Sequence, residues 1–492
     1  MAQVLAVLIS ALLMWAAFPP LGIGVLAFVA PAPFLWALRN VERAGSALGL
    51  GFLWGAVFFG GMLYYVKMVG VVAWIPLVAW LATSAALYAG LVWSFRLWPL
   101  TRWYLITIGG WALWELIRTH FPFGGFPWGV LGYPAAGNPG AIGSAQWIGA
   151  SGWSVLAIAV AAGLVLVIED RANWRYLVDP GVMVLLLVLA GGLFAPSPGG
   201  PTIRAAIVQG DSPCPQTHCQ NENKRIYESH LELTRTLEAG TVDLVVWPEN
   251  STGSPYEPEG NEVVREEIAA EARRLGAYIL VSGTRGVSAE EFANFNVVYD
   301  TTGRKVGEYL KRHPVPFGEF VPLRGALNFI PQLDQVPRDM VRGEGPVVFQ
   351  LPDGVLGSVI SFEGGFPEYL RDEVREGAEL MVVATNESTW GASAASDQFL
   401  AMTRVNAASI GQDLIHAAIT GRSAFISASG ELDQVTDLLV PEVRISEVTY
   451  RTGAPTIYAR FGDLLVYLAL VAGIAAIAVP GESRPESWRR SH

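Results

Sequence analysis

The stretch Val355-Leu-Gly-Ser-Val-Ile-Ser-Phe-Glu363 is the part of the sequence that best defines the fold. It begins as a nearly continuous apolar run, which is typical of a strand buried on both faces of a sheet. It ends with a hydroxyl group, an aromatic ring and a carboxylate. The pattern predicts a strand over 355–362 with Ser361 near its end, where a serine taken alone is more often structural than nucleophilic.

On both sides of this stretch, strand-like runs alternate with amphipathic helical patterns. Such alternation is typical of an α/β domain. The predicted helices lie near 224–237, 262–276 and 396–410. The other predicted strands lie at 202–209, 243–247, 278–282, 295–300, 380–385 and 413–419.

The flanking sequence is far more apolar than one soluble core requires. Of the 492 residues, 52% are hydrophobic and only 16% are charged, so the composition predicts a membrane protein with a substantial polar domain. Apolar runs long enough for about eight membrane-spanning helices can be placed in the chain. Seven precede the polar domain and one follows it: 4–18, 22–38, 48–66, 72–96, 103–118, 145–167, 181–196 and 462–479.

The distribution of lysine and arginine predicts the orientation in the membrane, because cytoplasmic loops retain positive charge. The opposite side carries mainly Lys67 and Arg118. We therefore expect both termini in the cytoplasm and the polar domain outside. The residues assigned to the cytoplasmic side are Arg39, Arg43, Arg96, Arg102, Arg171, Arg175, Arg484, Arg489 and Arg490.

These patterns predict three segments along the chain. Residues 1–200 form a membrane domain of about seven helices, 201–458 form the outer α/β domain, and 459–492 form a last helix with a short cytoplasmic tail. The Pro/Gly-rich stretch at 195–201 is interpreted as the linker into the outer domain.

Cysteine content and charge limit the other possibilities. The only two cysteines, Cys214 and Cys219, lie in a polar loop on the predicted outer side, where a disulfide is slightly favoured over two unpaired thiols. With His218 between them they offer too few ligands for a metal site. The net charge of −11 and the lack of a basic stripe argue against nucleic-acid binding, and no motif for a cofactor is found.

Two further polar residues follow predicted strands or rigid turns. Glu249 ends Asp-Leu-Val-Val-Trp-Pro-Glu-Asn, where burial would favour a general base. Lys311 lies in a segment stiffened by two prolines and could stabilise an oxyanion. The alternatives are a solvated acid in a turn and an exposed lysine next to Arg312.

The order of these residues resembles a known catalytic triad. Glu249 in Trp-Pro-Glu-Asn, Lys311 in Tyr-Leu-Lys-Arg-His-x-Val-Pro-Phe-Gly-Glu and position 361 in Ile-Ser-Phe-Glu are similar to the Glu-Lys-Cys triad of the nitrilase superfamily. In the apolar half, Trp114-Glu-x-x-Arg118 followed by Gly125-Phe-Pro-Trp128 resembles the signature of the apolipoprotein N-acyltransferase family. The resemblance covers nearly the whole chain and includes the segments that contain Trp390 and Arg404.

This resemblance implies a helical membrane bundle joined to a nitrilase-like α-β-β-α sandwich. It implies Glu249 as base, Lys311 as the cation facing the oxyanion and position 361 as nucleophile. The supporting residues it implies are Glu319, Phe362 and Glu363, and the tentative substrate contacts are Trp390 and Arg404.

The implied reaction takes place at a bacterial inner membrane, with the catalytic domain on the periplasmic side. An acyl chain passes from a membrane phospholipid, with phosphatidylethanolamine expected, to the enzyme. It then passes to the α-amine of a diacylglyceryl-cysteine lipoprotein. No cofactor is implied.

Ser361 stands where the family carries cysteine, and Phe362 where it usually carries tyrosine. A serine hydroxyl is much harder to deprotonate than a thiol, and a carboxylate is a poor base for it. Three interpretations remain: a slow serine enzyme, a paralogue that binds lipid or lipoprotein without turnover, and an engineered cysteine-to-serine substitution. A membrane-tethered nitrilase-like amidase is the alternative within the same chemistry.

Overall fold

The computed structural model describes residues 1–196, 199–217, 219–327 and 329–479. His218, Arg484, Arg489 and Arg490, used in the sequence analysis, lie outside the described residues. The chain divides into two compact units. One contains Met1–Phe194 and the chain from Phe461 onwards, and the other contains Ala195–Arg460.

The first unit is helical, and each apolar run of the sequence coincides with helix. The second run is broken, because it contains a 3₁₀ turn at Gly24–Phe28 followed by a short α-helix. The helices are α1 (Ala2–Ala17), α2 (Pro31–Arg39), α3 (Ala44–Met62), α4 (Val71–Ser94), α5 (Leu100–His120), α6 (Gly132–Ala136), α7 (Ala145–Glu169) and α8 (Arg175–Leu193).

Within the described part of the chain, four helical segments are long and apolar enough to cross a membrane: Ala44–Met62, Val71–Ser94, Ile142–Glu169 and Arg171–Leu193. Shorter apolar helices occur at Ala2–Ala17, Gly24–Arg39 and Leu464–Ala478. The apolar outer surface of these helices needs a lipid-like solvent, as expected for a membrane protein.

The two sequence motifs of this unit contact each other. Glu115 in α5 accepts a hydrogen bond from the backbone N–H of Leu131 at 2.9 Å, and Arg118 donates to the carbonyl of Trp128 at 2.6 Å. The orientation argument counted Arg118 among the charges on the side opposite the cytoplasm. Its side chain is fully buried in the last turn of α5 and is held by the loop that follows. The orientation itself stays a prediction.

The second unit contains two β-sheets. This agrees with strands that are apolar on both faces, because such strands must be covered on both sides. In the first sheet the order is β14-β1-β2-β4-β5-β6, with β3 on β4 and β7 on β5; in the second it is β13-β12-β11-β10-β9-β8. The strands are β1 (Thr202–Gln209), β2 (Leu244–Val246), β3 (Thr252–Gly253), β4 (Tyr278–Gly286), β5 (Glu291–Tyr299), β6 (Lys305–Leu310), β7 (Asp339–Met340), β8 (Val348–Leu351), β9 (Gly354–Ile360), β10 (Leu380–Thr385), β11 (Asp413–Ala418), β12 (Ala424–Ile426), β13 (Leu432–Asp433) and β14 (Glu442–Thr449).

The sheets pack face to face with helices outside them. Ile207 of β1 belongs to a core shared with Ile360 of β9 and Val382 of β10, whereas its neighbour Val208 faces a core shared with two helices. This alternation produces the α-β-β-α sandwich that was expected. The helices of this unit are α9 (Glu222–Arg235), α10 (Glu262–Leu275), α11 (Arg324–Leu327), α12 (Pro367–Arg375) and α13 (Ala394–Ile410).

The described chain ends with α14 (Ile457–Phe461) and α15 (Leu464–Ala478). Helix α15 belongs to the first unit and packs closely on α5 through glycine. A Cβ atom placed on Gly109 of α5 would lie 2.7 Å from the carbonyl oxygen of Ala469 and 3.0 Å from the Cα of Gly473. The absence of side chains at Gly109 and Gly473 therefore permits the contact.

The strand predicted over 355–362 is shorter than expected. Strand β9 ends at Ile360, and Ser361–Gly365 form a 3₁₀ turn. Ser361 has a φ of 53°, so the chain leaves the extended conformation at this residue.

Candidate active site

Three chain segments bring the predicted catalytic side chains to one end of the sandwich. Glu249 follows β2 by three residues, Lys311 directly follows β6, and Ser361 directly follows β9. The hydrogen bonds described below connect these segments, so the structure brings together the residues that the sequence placed far apart.

Ser361 occupies a strained backbone position. A non-glycine residue at positive φ is uncommon and persists only where its surroundings hold it. Its side chain is partly exposed, and its Oγ lies 3.4 Å from Oγ1 of Thr385 at the end of β10. The sharp turn thus presents the hydroxyl at the edge of the second sheet.

Glu249 is a buried carboxylate with a donor on each oxygen. Its Oε1 accepts from the side-chain amide of Asn294 at 2.7 Å and from Nζ of Lys311 at 3.1 Å. Its Oε2 accepts from the backbone N–H of Asn386 at 2.7 Å. These donors fix the orientation of a group that is only 3% exposed.

Lys311 lies between two carboxylates. Its Nζ is 3.1 Å from Glu249 and 2.6 Å from Oε1 of Glu319, and the side chain is 1% exposed. Burial alone would lower the pKa of Lys311, but the charges of Glu249 and Glu319 outweigh it and hold the pKa above its usual range. Lys311 is therefore a fixed positive charge at neutral pH.

Glu363 joins the serine turn to the backbone beside the lysine. Its Oε2 accepts from the Ile360 N–H at 2.7 Å and from the Tyr309 hydroxyl at 2.8 Å. Its Oε1 accepts from the N–H groups of Arg312 at 2.6 Å and His313 at 2.9 Å. Burial raises the pKa of Glu363, although these donors and Lys311 act in the opposite direction. Glu363 thus connects the backbone just before Ser361 with the backbone just after Lys311.

Phe362 belongs to an aromatic cluster beside the turn. The ring of His313 stacks on Phe366 at a centroid distance of 4.4 Å and meets the edge of Phe362 at 5.3 Å. Nδ1 of His313 lies 2.8 Å from the hydroxyl of Tyr369. These contacts hold the His313 ring between the aromatic side chains next to the turn.

The two tentative substrate contacts are engaged within the protein. Trp390 lies on a 3₁₀ turn after β10 and meets the edge of Phe399 at 6.3 Å. Arg404 in α13 donates from Nε to the carbonyl of Gly430 at 2.6 Å. Their contact with a substrate stays a prediction.

Sequence reasoning missed two residues of the site, Asn294 and Tyr309. Both are buried polar groups in strands that the sequence did not predict at those positions: Asn294 of β5 is 1% exposed, and Tyr309 of β6, two residues before Lys311, is fully buried. A buried amide or hydroxyl in a strand requires a partner. Here the partners are Glu249 and Glu363.

The loop between β1 and α9 contains the disulfide that the sequence slightly favoured. Cys214 and Cys219 are bonded, with their Cα atoms 6.1 Å apart. Among the described residues no group of three or more histidine, cysteine or acidic side chains is arranged to hold a metal ion.

Comparison with known proteins accounts for both units. Residues 10–163 match the apolipoprotein N-acyltransferase N-terminal domain, and residues 204–451 match the carbon-nitrogen hydrolase family. The chain is similar to the apolipoprotein N-acyltransferase of Geobacter metallireducens, with 31% identity covering 96% of this chain and 94% of that protein. It is also similar to the Gloeobacter violaceus protein of the same name, with 28% identity covering 94% and 90%.

Among solved structures, a C145A mutant of the Nesterenkonia AN1 amidase from the nitrilase superfamily has 16% identity and a TM-score of 0.41, covering 54% of this chain and 95% of that one. The matches to the family models and to the full-length relatives describe a bacterial membrane protein with a nitrilase-like domain. The chain belongs to the apolipoprotein N-acyltransferase family.

Proposed function

We propose that this protein transfers an acyl chain from a membrane phospholipid to the N-terminal diacylglyceryl-cysteine of lipoproteins, through an acyl-enzyme at position 361. The observation that carries the proposal is the buried Lys311 between Glu249 and Glu319, next to the strained turn of Ser361. A carboxylate base, a fixed cation and an accessible nucleophile are the groups that acyl transfer requires, and Ser361 is partly exposed. The two bacterial relatives described above are both named apolipoprotein N-acyltransferase, which is the name of this reaction.

In the first half-reaction, the oxygen of Ser361 attacks the sn-1 ester carbonyl of the phospholipid. Glu249 accepts the hydroxyl proton, and Lys311 stabilises the negative oxygen of the tetrahedral intermediate. The ester C–O bond then breaks, and the departing lysophospholipid oxygen takes the proton from Glu249. Glu319 holds Lys311 in place during both steps.

In the second half-reaction, the α-amine of the acceptor attacks the acyl-enzyme carbonyl. Glu249 takes a proton from the attacking nitrogen and returns it to the oxygen of Ser361 as the acyl–oxygen bond breaks. An amide replaces an ester, so the step is favourable. We propose phosphatidylethanolamine as the donor, and Trp390 and Arg404 as contacts for the lipid substrates.

The serine at position 361 slows the first step, because a carboxylate is a poor base for an alkanol. Glu249, Lys311 and Glu363 are nevertheless held by the hydrogen bonds described above. These contacts support an acyltransferase site in which Ser361, natural or substituted, is acylated slowly. A cysteine at the same position would be acylated faster.

We also propose the family's arrangement in the inner membrane. It has about eight spans, both termini in the cytoplasm, and the unit around 201–458 on the periplasmic side between the membrane domain of 1–200 and the last helix of 459–492. The disulfide Cys214–Cys219 supports this side of the membrane, because disulfides persist in the oxidising periplasm and are rare in the cytosol.

Intact-mass spectrometry after incubation with phosphatidylethanolamine tests the acyl-enzyme. The full-length protein, Ser361→Cys and Ser361→Ala are compared in detergent. We expect an acyl adduct that forms rapidly on Ser361→Cys and slowly on the serine form, with none on Ser361→Ala. Absence of an adduct on Ser361→Cys would reject the proposal and favour a protein that binds lipid or lipoprotein without turnover.

A further inference from the structure

A second carboxylate follows Asn386 at the end of β10. Glu387 is 2% exposed, and its Oε1 lies 3.5 Å from Nε2 of His416, which is fully buried. His416 belongs to β11 and pairs with Val383 of β10. The turn after β10 therefore folds back so that its carboxylate meets an imidazole on the neighbouring strand. The site described above uses neither residue.

Gly421 leaves the room that this carboxylate occupies. A Cβ atom on Gly421 would lie 2.0 Å from Oε2 of Glu387, so no other residue fits at position 421 while Glu387 keeps its place. Within the part of the chain that the structure describes, neither carboxylate oxygen of Glu387 has a hydrogen-bond partner. The same is true of Nε2 of His416. The ion-pair contact between them is the interaction that remains.

The other ring nitrogen of His416 faces a threonine. Nδ1 of His416 is 3.0 Å from Oγ1 of Thr403, which is also within reach of the Leu400 carbonyl at 3.1 Å. Nε2 of His416 therefore faces Glu387. Burial makes an unpaired polar group costly, so the loss of either side chain destabilises the position of the other.

The Glu387–His416 pair holds the peptide that binds the proposed base. The backbone N–H of Asn386 donates to Oε2 of Glu249 at 2.7 Å, and the carbonyl of Glu387 accepts from the Trp390 N–H at 2.9 Å. The side chain of Glu387 thus anchors a turn whose first N–H orients Glu249.

We infer that Glu387 and His416 are positioning residues for acyl transfer: their buried contact fixes the Asn386 turn, and the turn fixes the orientation of Glu249. The inference rests on the proposed function through the role of Glu249. Removal of His416 leaves a buried carboxylate unpaired, and the turn must move to hydrate it. Glu249 then loses the Asn386 donor that orients its Oε2.

The test uses the full-length Ser361→Cys protein as parent. His416→Leu is compared with Glu387→Gln, whose amide can replace the carboxylate beside Nε2 of His416. His230→Leu is the matched control, because His230 is equally buried in the same unit but is hydrogen-bonded to the backbone of Gly210 and Ile226. The measurements are the melting temperature and the rate of adduct formation at saturating lipid, at a temperature at which every variant is folded.

For His416→Leu we expect a lower melting temperature and a rate of adduct formation reduced about tenfold or more. Glu387→Gln should retain the parent's melting temperature and rate. His230→Leu should lower the melting temperature without reducing the rate.

Three results would overturn the inference. They are an unchanged melting temperature and rate in His416→Leu, an equal loss of rate in His230→Leu, and a Glu387→Gln protein as damaged as His416→Leu. If the parent formed no adduct at all, the proposed function would fail. In that case the melting temperatures of the same variants would still decide whether the pair exists.

Discussion

At the scale of single residues, the site depends on one fixed positive charge. Lys311 is held by Glu249 and Glu319, and its pKa lies above the usual range, so it stays charged through neutral and mildly alkaline pH. Its contribution to stability is complete below the unfolded pKa of about 10.4. That contribution is lost only as the pH rises further, towards the folded pKa.

Replacement of this lysine should abolish most of the reactivity. In the Ser361→Cys background, Lys311→Met should slow adduct formation by about 10²–10³-fold, the usual effect of removing a group that stabilises an oxyanion. Lys305→Met is the control, because Lys305 begins strand β6, which ends just before Lys311, and also pairs with two carboxylates, Glu259 and Glu308, but is partly exposed. Equal rates for the two variants would contradict the role of Lys311.

Glu373 allows a prediction on the pH dependence of stability. Burial raises its pKa to about 9, with a smaller effect from Glu363, and Arg312 only partly opposes this. A carboxyl group with a folded pKa above its unfolded value stabilises the protein at low pH, and this contribution is lost as the pH rises from the unfolded towards the folded pKa.

Glu373→Gln, which resembles the protonated acid, should therefore gain stability over the parent as the pH rises from 5 to 8. We expect a relative gain of at least about 1 kcal/mol in the free energy of unfolding, within a limit of about 1.4 kcal/mol per pH unit. Chemical unfolding of the full-length protein at each pH measures it, with Glu376→Gln, an exposed neighbour, as control. A gain that does not change with pH would contradict the prediction.

At the scale of elements, the sequence predicted the buried parallel strands well and the edge strands poorly. The apolar runs at 355–362, 380–385 and 413–419 correspond to β9, β10 and β11, since a strand covered on both faces needs a continuous apolar run. Strand β14 was missed because its half-exposed sequence Glu-Val-Arg-Ile-Ser-Glu-Val-Thr carries charges at the sheet edge. Strand β6 was missed for the same reason.

The sequence could not predict the exact end of β9. Apolar character continues through Ile360 to Phe362, so nothing in the composition separates the strand from the turn. The turn at Ser361 depends on Glu363, whose carboxylate binds the Ile360 N–H and two N–H groups near residue 312. The last two contacts join residues about 50 positions apart, so they depend on the tertiary structure and are not visible in the local sequence. Motif resemblance identified Glu363, but only the structure gives its partners.

Packing of α5 on α15 gives a prediction for the membrane unit. Gly109→Ala should lower the melting temperature, because its Cβ atom would meet the backbone of Ala469 and Gly473. Gly49→Ala in α3 is the control, since it has open space around the new atom and alanine favours a helix by about 1 kcal/mol. If Gly109→Ala were as stable as Gly49→Ala, the close packing of these helices would be refuted.

At the scale of the whole molecule, the sequence identified the family through motifs spread over both units. It could not identify the Glu387–His416 pair, because a buried histidine in a strand and an acid in a turn are individually unremarkable in sequence. Their relation depends on the register of β10 with β11 and on the space that Gly421 leaves.

The proposed orientation predicts which loops are accessible from outside the cell membrane. In the full-length protein, a cysteine introduced by Lys67→Cys, after α3, should react with a membrane-impermeant maleimide in intact spheroplasts. One introduced by Glu42→Cys, between α2 and α3, should react only after the membrane is permeabilised. The opposite labelling pattern would require an inverted topology.

The measurement that tests the central claim most directly is transfer of a labelled sn-1 acyl chain from phosphatidylethanolamine to a synthetic diacylglyceryl-cysteine peptide. The serine protein, Ser361→Cys and Ser361→Cys/Lys311→Met are compared. We predict amide-linked label on the peptide with Ser361→Cys, a much slower transfer with the serine form, and little with the double variant. Adduct formation on Ser361→Cys without any transfer to the peptide, or equal transfer by all three proteins, would contradict the account.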